Sequence, residues 1–459
     1  MTAELQDKLD ELVKKYDVPG VSVGLVFEGE EQYAYAGVTS VENPLPVDEN
    51  TLFQFGSTGK TFTATALMRL EEQGKVDLDA PVRTYVPELR LKDEDVAERV
   101  TVLQLLNHTA GWEGDLIEEM GNGDDVLEKY VARMADLVQV TPLGAAVSYN
   151  NASLSLAGRV IEKVCGTTYE EAISDLLLKP LGMTHTFFFP NDVMSRRFAV
   201  GHRRSEEGEI TVARPWAMPR ANTPAGGLSA NAKDQIAWAR FHLGDGTVAD
   251  GTQILSADNV KRMQQPTAFM KGSALGDAVG ISWLLSEIDG VKIVSHGGTT
   301  NGQHSDFTMV PERNFAITSL SNCGPNGPQL NHDIVKWARQ HFLGLVEAEK
   351  KTVRVPDADL APYLGEFETI ASMLEVTADD GRLSAKIKMK PEMAVALVEA
   401  GEEIPEQPPI ILAMLDGATD QYMVDEGDAK GMTGYFQRAA DGSVDGIHLG
   451  GRLATRVKR

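Results

Sequence analysis

Residues 52–61 read LFQFGSTGKT, and two chemistries compete for them. Gly59-Lys60-Thr61 matches the end of a P-loop, G-x-x-x-x-G-K-[ST], which would make the chain a nucleotide-using protein. Ser57-Thr58-Gly59-Lys60 matches S-x-x-K, a serine followed one helical turn later by a lysine. Spacing decides between them. A P-loop needs a glycine five residues before Gly59, where the backbone wraps a phosphate, and that position is Gln54. Beyond Lys60 the apolar positions Phe62, Ala66, Leu67 and Leu70 recur at helical spacing, and no apolar strand ending in a metal-binding Asp follows. On such a helix Ser57 and Lys60 share one face. A serine hydroxyl is a weak nucleophile until a base takes its proton, and a lysine is a base only when burial or nearby cations depress its pKa.

The chain has 459 residues, too long for one ordinary core, so two or three domains are expected. It is 42% apolar and 24% charged, a globular composition, with a net charge of −24 that repels nucleic acid. The N-terminal stretch MTAELQDKLDELVKKYDVPG reads as an amphipathic helix without the pattern of a signal peptide. No run approaches the roughly 20 apolar residues needed to cross a bilayer. A cytoplasmic protein without membrane or nucleic-acid partners is expected. Cys165 and Cys323 lie far apart without metal-ligand spacing and read as reduced packing residues.

Residues 18–40 read as two strands joined by a Glu/Gly turn. A helix over 101–108 is capped by Thr101 and stopped by Gly111; residues 123–139 read as an amphipathic helix. Another helix follows SYNNA, and after residue 246 the chain turns strand-rich until a last helix, QLNHDIVKWARQHFLGLVEA. Residues 346–361 read as a charged linker. Residues 362–459 alternate in short segments between Asp/Gly turns, the pattern of an antiparallel β-module in which EEIPEQPP (402–409) is a solvated loop.

Two further motifs bear on the serine. Tyr149-Asn150-Asn151 is either a loop tyrosine with two turn-forming asparagines or a proton-relaying phenol with an amide able to hold a lysine and a substrate. Ser295-His296-Gly297-Gly298-Thr299 ends an apolar run. It is either a hairpin turn or a strand edge where a substrate backbone approaches and the N–H after the glycines meets an oxyanion.

In the order S-x-x-K, Y-x-N, H-G-G, these motifs resemble the serine β-lactamase and penicillin-binding-protein-like superfamily, on its class C, esterase and D-aminopeptidase side. LLNHTAGW (105–112), KPLGMTHT (179–186) and TPAGGLSANAKDQIAWARF (223–241) add to a likeness that spans roughly residues 5–345. The resemblance implies an α+β fold, an antiparallel sheet flanked by helices with an all-helical subdomain, over residues 1–345. APYLGEFE opens a segment similar to the lipocalin-like β-domains appended to several members, so 362–459 is expected to form a small antiparallel barrel. By the same resemblance Ser57 is the acylated nucleophile, and Lys60 and Tyr149 share the acid–base work. Asn151 orients Lys60 and substrate, and the backbone N–H groups of Ser57 and Thr299 form the oxyanion hole, with His296, Gly297 and Gly298 along the substrate strand. His296 stands where many relatives carry a lysine, and a histidine of reference pKa about 6.5 is largely neutral at pH 7, which weakens carboxylate anchoring.

Trp112 has two readings, a wall of the acyl pocket or a core residue. His108 and His185 read as structural, and His304 and Asp306 as either cleft or turn residues. The nine histidines form no metal-ligand spacing, so no metal and no cofactor is expected. The expectation is a serine hydrolase of esterase or D-amino-acid-peptidase type, cleaving an ester or a small amide in a small-molecule substrate and able to form homo-oligomers. An acyltransferase using the same acyl-enzyme and a non-catalytic ligand sensor are the alternatives.

Overall fold

A computed structural model describes residues 2–205, 207–248, 250–390, 408–427 and 429–457. Most of the loop at 402–409 therefore lies outside the described residues. The first helix, α1 (Thr2–Tyr16), leads into β1 (Gly20–Phe27) and β2 (Glu30–Gly37), joined by Glu28 and Gly29 at positive φ. The remaining strands of this sheet come late in the chain: β3 (Ala268–Ser273), β4 (Gly276–Val279), β5 (Leu284–Ile288), β6 (Val291–Ser295), β7 (Gly298–Thr299), β8 (His304–Val310) and β9 (Phe315–Ser321). Their order is β2-β1-β9-β8-β6-β5-β4-β3, with β7 on β8, and every pairing is antiparallel.

The sequence of β1, GVSVGLVF, is apolar almost throughout because both faces of the strand are covered. On one side Val21, Val23 and Leu25 meet Leu5, Leu9 and Leu12 of α1 and the closing helix Asn326–Leu343. On the other lie the helix Lys60–Glu72, here α2, and the later helices α3 (Val102–Leu106), α4 (Asn151–Cys165) and α5 (Ala232–Leu243). From Lys60 to Met68 every residue of α2 is buried, as in a helix that runs through the centre of a domain. Phe62 stacks on Trp238 with ring centroids 3.8 Å apart.

The helix expected over 101–108 is shorter. Thr101 and Gln104 close a capping box, but helical bonding ends at Leu106, and His108 takes positive φ ahead of Gly111. The helix expected over 123–139 spans only Val126–Arg133 plus a 3-10 turn, Met134–Asp136; Leu137 is extended and ends the run.

The C-terminal module closes as a barrel. Strands β10 (Gly365–Glu368), β11 (Ser372–Asp379), β12 (Arg382–Met389), β13 (Ile410–Leu415), β14 (Gln421–Val424), β15 (Thr433–Arg438), β16 (Val444–Leu449) and β17 (Arg452–Arg456) pair antiparallel, and β10–β17 and β13–β14 contacts close the ring. Its interior holds Phe367, Val376, Leu383, Leu412, Tyr422 and Phe436. Within the stretch expected as linker, Thr352–Val353 pairs with β13 and Leu360 is buried in the barrel core. The expected α+β body and small antiparallel barrel are both present, the barrel with eight strands around its ring. A small apolar cluster, Val147, Met270, Val279, Leu284 and Tyr435, joins them.

Candidate active site

Ser57 sits in a 3-10 turn, Gly56–Gly59, that runs directly into α2. Gly56 holds φ at +55°, so the turn can aim Ser57 away from the core it enters, and the serine keeps partial exposure. Lys60 Nζ lies 3.1 Å from Ser57 Oγ and donates to the Ala225 carbonyl at 2.6 Å. The side chain is fully buried, and that burial, reinforced by the nearby Arg452, pulls the Lys60 pKa well below its ordinary value. A neutral amine against a hydroxyl is what proton abstraction from a serine requires.

Tyr149 sets its phenol beside Ser57. Burial raises its pKa, although Ser57 and Arg452 oppose the shift, so the group stays protonated. Lys60 Nζ lies 4.8 Å from the Tyr149 ring centroid, and the His108 ring packs behind it at 4.5 Å. Asn150 caps α4 by accepting from the Ser153 amide, and donates to the Trp112 carbonyl at 2.8 Å. Asn151, expected to orient Lys60 and substrate, donates from Nδ2 to Asp115 Oδ1 at 2.7 Å, while Lys60 itself donates to the Ala225 carbonyl.

The third wall is the end of β6 and strand β7. Thr58 Oγ1 donates to the His296 carbonyl at 2.9 Å, and Ser305 Oγ donates to the Phe55 carbonyl at 2.7 Å, which knits the serine turn to the sheet. A Cβ on Gly298 would lie 2.0 Å from the Phe55 carbonyl oxygen and 2.6 Å from the Ser57 nitrogen; one on Gly56 would lie 2.6 Å from the Thr299 nitrogen. Only glycine permits this approach, and it brings the two backbone N–H groups expected to meet an oxyanion to one spot. Thr299 is held from behind by His304, whose Nδ1 lies 3.2 Å from Thr299 Oγ1. Burial pushes the His296 imidazole down to about 3, so it is neutral.

Residues 5–341 match the family model described as Beta-lactamase. The chain belongs to that family. Over 374 residues this beta-lactamase-family chain is 32% identical to penicillin-binding protein 4 of Amycolatopsis lactamdurans, covering 80% of its own length and 97% of the relative's. Among solved structures it superposes on SurE with a TM-score of 0.79 at 26% identity, covering 99% of both chains, and on SurE with D-Leu at 0.77 and 25%. The octameric penicillin-binding protein homologue from Pyrococcus abyssi shares the fold at a TM-score of 0.67 and 22% identity, over 99% of this chain and 98% of the other. Members of the beta-lactamase and penicillin-binding-protein family are serine hydrolases.

Two residues that carried two readings pack into the body of this beta-lactamase-family fold. Trp112 is not a pocket wall: its side chain is among the largest fully buried ones and packs in the main core, and only its carbonyl serves the site. Asp306 turns away from the cleft into the body, where burial raises its pKa despite the nearby His332 and Arg339. Three participants escaped the motif reading. Ala225 lies inside TPAGGLSA, where a carbonyl leaves no residue-type signal. Asp115 is one acid among many. Arg452, 395 positions beyond Ser57, carries no motif beyond the Gly450-Gly451 pair before it. Among the described residues no group of three or more His, Cys, Asp or Glu side chains is arranged to hold a metal, and no helix is long and apolar enough to cross a membrane.

Proposed function

We propose that the protein hydrolyses esters or small amides through an acyl-enzyme on Ser57. The observation that carries this reading is the buried amine of Lys60, 3.1 Å from a partly exposed serine hydroxyl. Lys60 takes the proton as Ser57 Oγ attacks the acyl carbon. The oxyanion forms against the N–H groups of Ser57 and Thr299. Tyr149 gives its proton to the leaving alcohol or amine and regains one from Lys60; Lys60, neutral again, then takes a proton from the attacking water and returns it to Ser57 Oγ as the acid is released. The depressed Lys60 and raised Tyr149 pKa values support this division into base and acid.

The neutral His296 disfavours a substrate chosen by a carboxylate lying along β7, and so favours an esterase or peptidase over an efficient β-lactam hydrolase. Likeness to a protein solved with D-Leu supports substrates that present a D-residue. The test is intact-mass spectrometry after brief exposure to matched L- and D-residue esters. The expected result is one acyl adduct on wild type, mapping to Ser57, absent from Ser57→Ala, with the D-series preferred. Undiminished turnover by Ser57→Ala would falsify the reading.

A further inference from the structure

The barrel reaches into the active site through one hairpin. β16 ends at Leu449 and β17 starts at Arg452; Gly450 and Gly451 between them take φ of 58° and 84°, the geometry of a two-residue turn with both central residues at positive φ. The tip is bonded to the loop segment that carries the phenol, just ahead of α4. Tyr149 N–H donates to the Gly451 carbonyl at 2.9 Å, and Leu453 N–H donates to Ser148 Oγ at 3.2 Å. From this anchorage the Arg452 guanidinium stands 5.3 Å from the Tyr149 ring centroid. It forks onto Asp115, with Nε to Oδ2 at 2.6 Å and Nη2 to Oδ1 at 2.8 Å. That same Oδ1 accepts from Asn151 Nδ2.

We propose that Arg452 is a positioning residue of the catalytic centre, acting through Asp115 on the Asn151 amide and through its charge on Lys60. The inference rests on the serine-hydrolase reading above. Asp115 accepts from Nδ2 of Asn151, which holds the amide in one orientation. The charge argument follows from the groups around Lys60. These are Ser57 on its own turn, the Ala225 carbonyl, Tyr149 and His108 before α4, His296 at the end of β6, and the Arg452–Asp115 pair. Burial, the largest cause for each, keeps His108 and His296 neutral. The permanent charges acting on Lys60 are therefore those of Arg452, which opposes its protonation, and Asp115, which favours it. A bidentate pair holds both in place.

The two partners have opposite signs, and that separates tuning from mere scaffolding. In the full chain, Arg452→Gln should move the acid limb of the kcat/KM–pH profile up by roughly one pH unit, because Lys60 then protonates more readily. Asp115→Asn, which keeps the acceptor and removes the charge, should move the same limb down. Arg452→Lys should restore the limb toward wild type, while kcat stays several-fold low because an ammonium lacks the fork. An acid limb that stays put, or shifts the same way in Arg452→Gln and Asp115→Asn, overturns the proposal. So does a loss confined to KM for carboxylate-bearing substrates, which would make Arg452 a substrate-binding group. If Arg452→Gln does not fold, the downward shift in Asp115→Asn remains the deciding measurement. Failure of the parent reading shows differently, as wild-type enzyme that takes no acyl group on Ser57.

Discussion

At the scale of the residue, the chemistry turns on one amine taken out of water. Burying an ammonium ion costs several kcal/mol, and that cost holds the Lys60 pKa well below its ordinary value. The sign follows directly: Lys60 is neutral above its depressed pKa, and lowering the pH through that value protonates it. The kcat/KM profile should therefore fall on its acid side, while Tyr149, whose pKa burial raises, gives no loss until strongly alkaline pH. A profile without an acid limb assignable to a group depressed from the lysine range would remove Lys60 from the role of base. Lys60→Ala should lower kcat by about 10²–10⁴, the usual worth of a general base. Lys60→Arg should be equally poor in the same assay, because a guanidinium cannot give up its proton at neutral pH. The pairing of Ser57 with Lys60 was legible in the sequence because i, i+3 on a helix fixes two side chains on one face whatever surrounds them. The partner of Asn151 was not: a short amide has several acids and amines within reach once the chain is folded, and here Asp115 takes it.

At the scale of the element, the serine turn and strand β7 must nearly touch, and two glycines make that possible. Gly298→Ala would drive a methyl into the Phe55 carbonyl and the Ser57 N–H. The outcome expected is a loss of kcat by about 10²–10³, as when an oxyanion donor is displaced, with KM less affected; an enzyme of wild-type kcat would show that β7 does not form the oxyanion wall. Strands β1 and β2 were readable from their tight turn and apolar run, and α2 from its periodicity. The helix at 123–139 was overread because amphipathic spacing continues past Arg133, whereas Leu137 is pulled into extended backbone. Tertiary contacts override a periodic pattern most easily at element ends.

At the scale of the whole molecule, the fold keeps histidines neutral in several places. His242 and His296 are pushed down by burial to about 3, and His304 and His448 to about 4. Unfolded, each has a pKa of about 6.5. Between that value and the folded one, the unfolded chain binds protons that the native chain does not. Stability should therefore decline as pH falls through this window, by about 1.4 kcal/mol per pH unit for each histidine. Thermal midpoints measured down the acid range should drop, and His242→Gln, remote from Ser57 between Trp238 and Trp283, should drop less steeply. Parallel slopes would count against a neutral buried His242.

The sequence by itself determined what lies along the chain at short range: the serine–lysine helix, the glycine approach at 297–298, the phenol ahead of α4, and the alternation that closes a barrel. Those are set by local geometry, where spacing along the backbone translates directly into direction. Only the tertiary structure decided which distant groups meet there, among them the Ala225 carbonyl, Asp115 and the barrel's Arg452. The first two arrive through long-range folding of the N-terminal body and the third through docking of the separately cored barrel, and no periodicity within either body records those meetings.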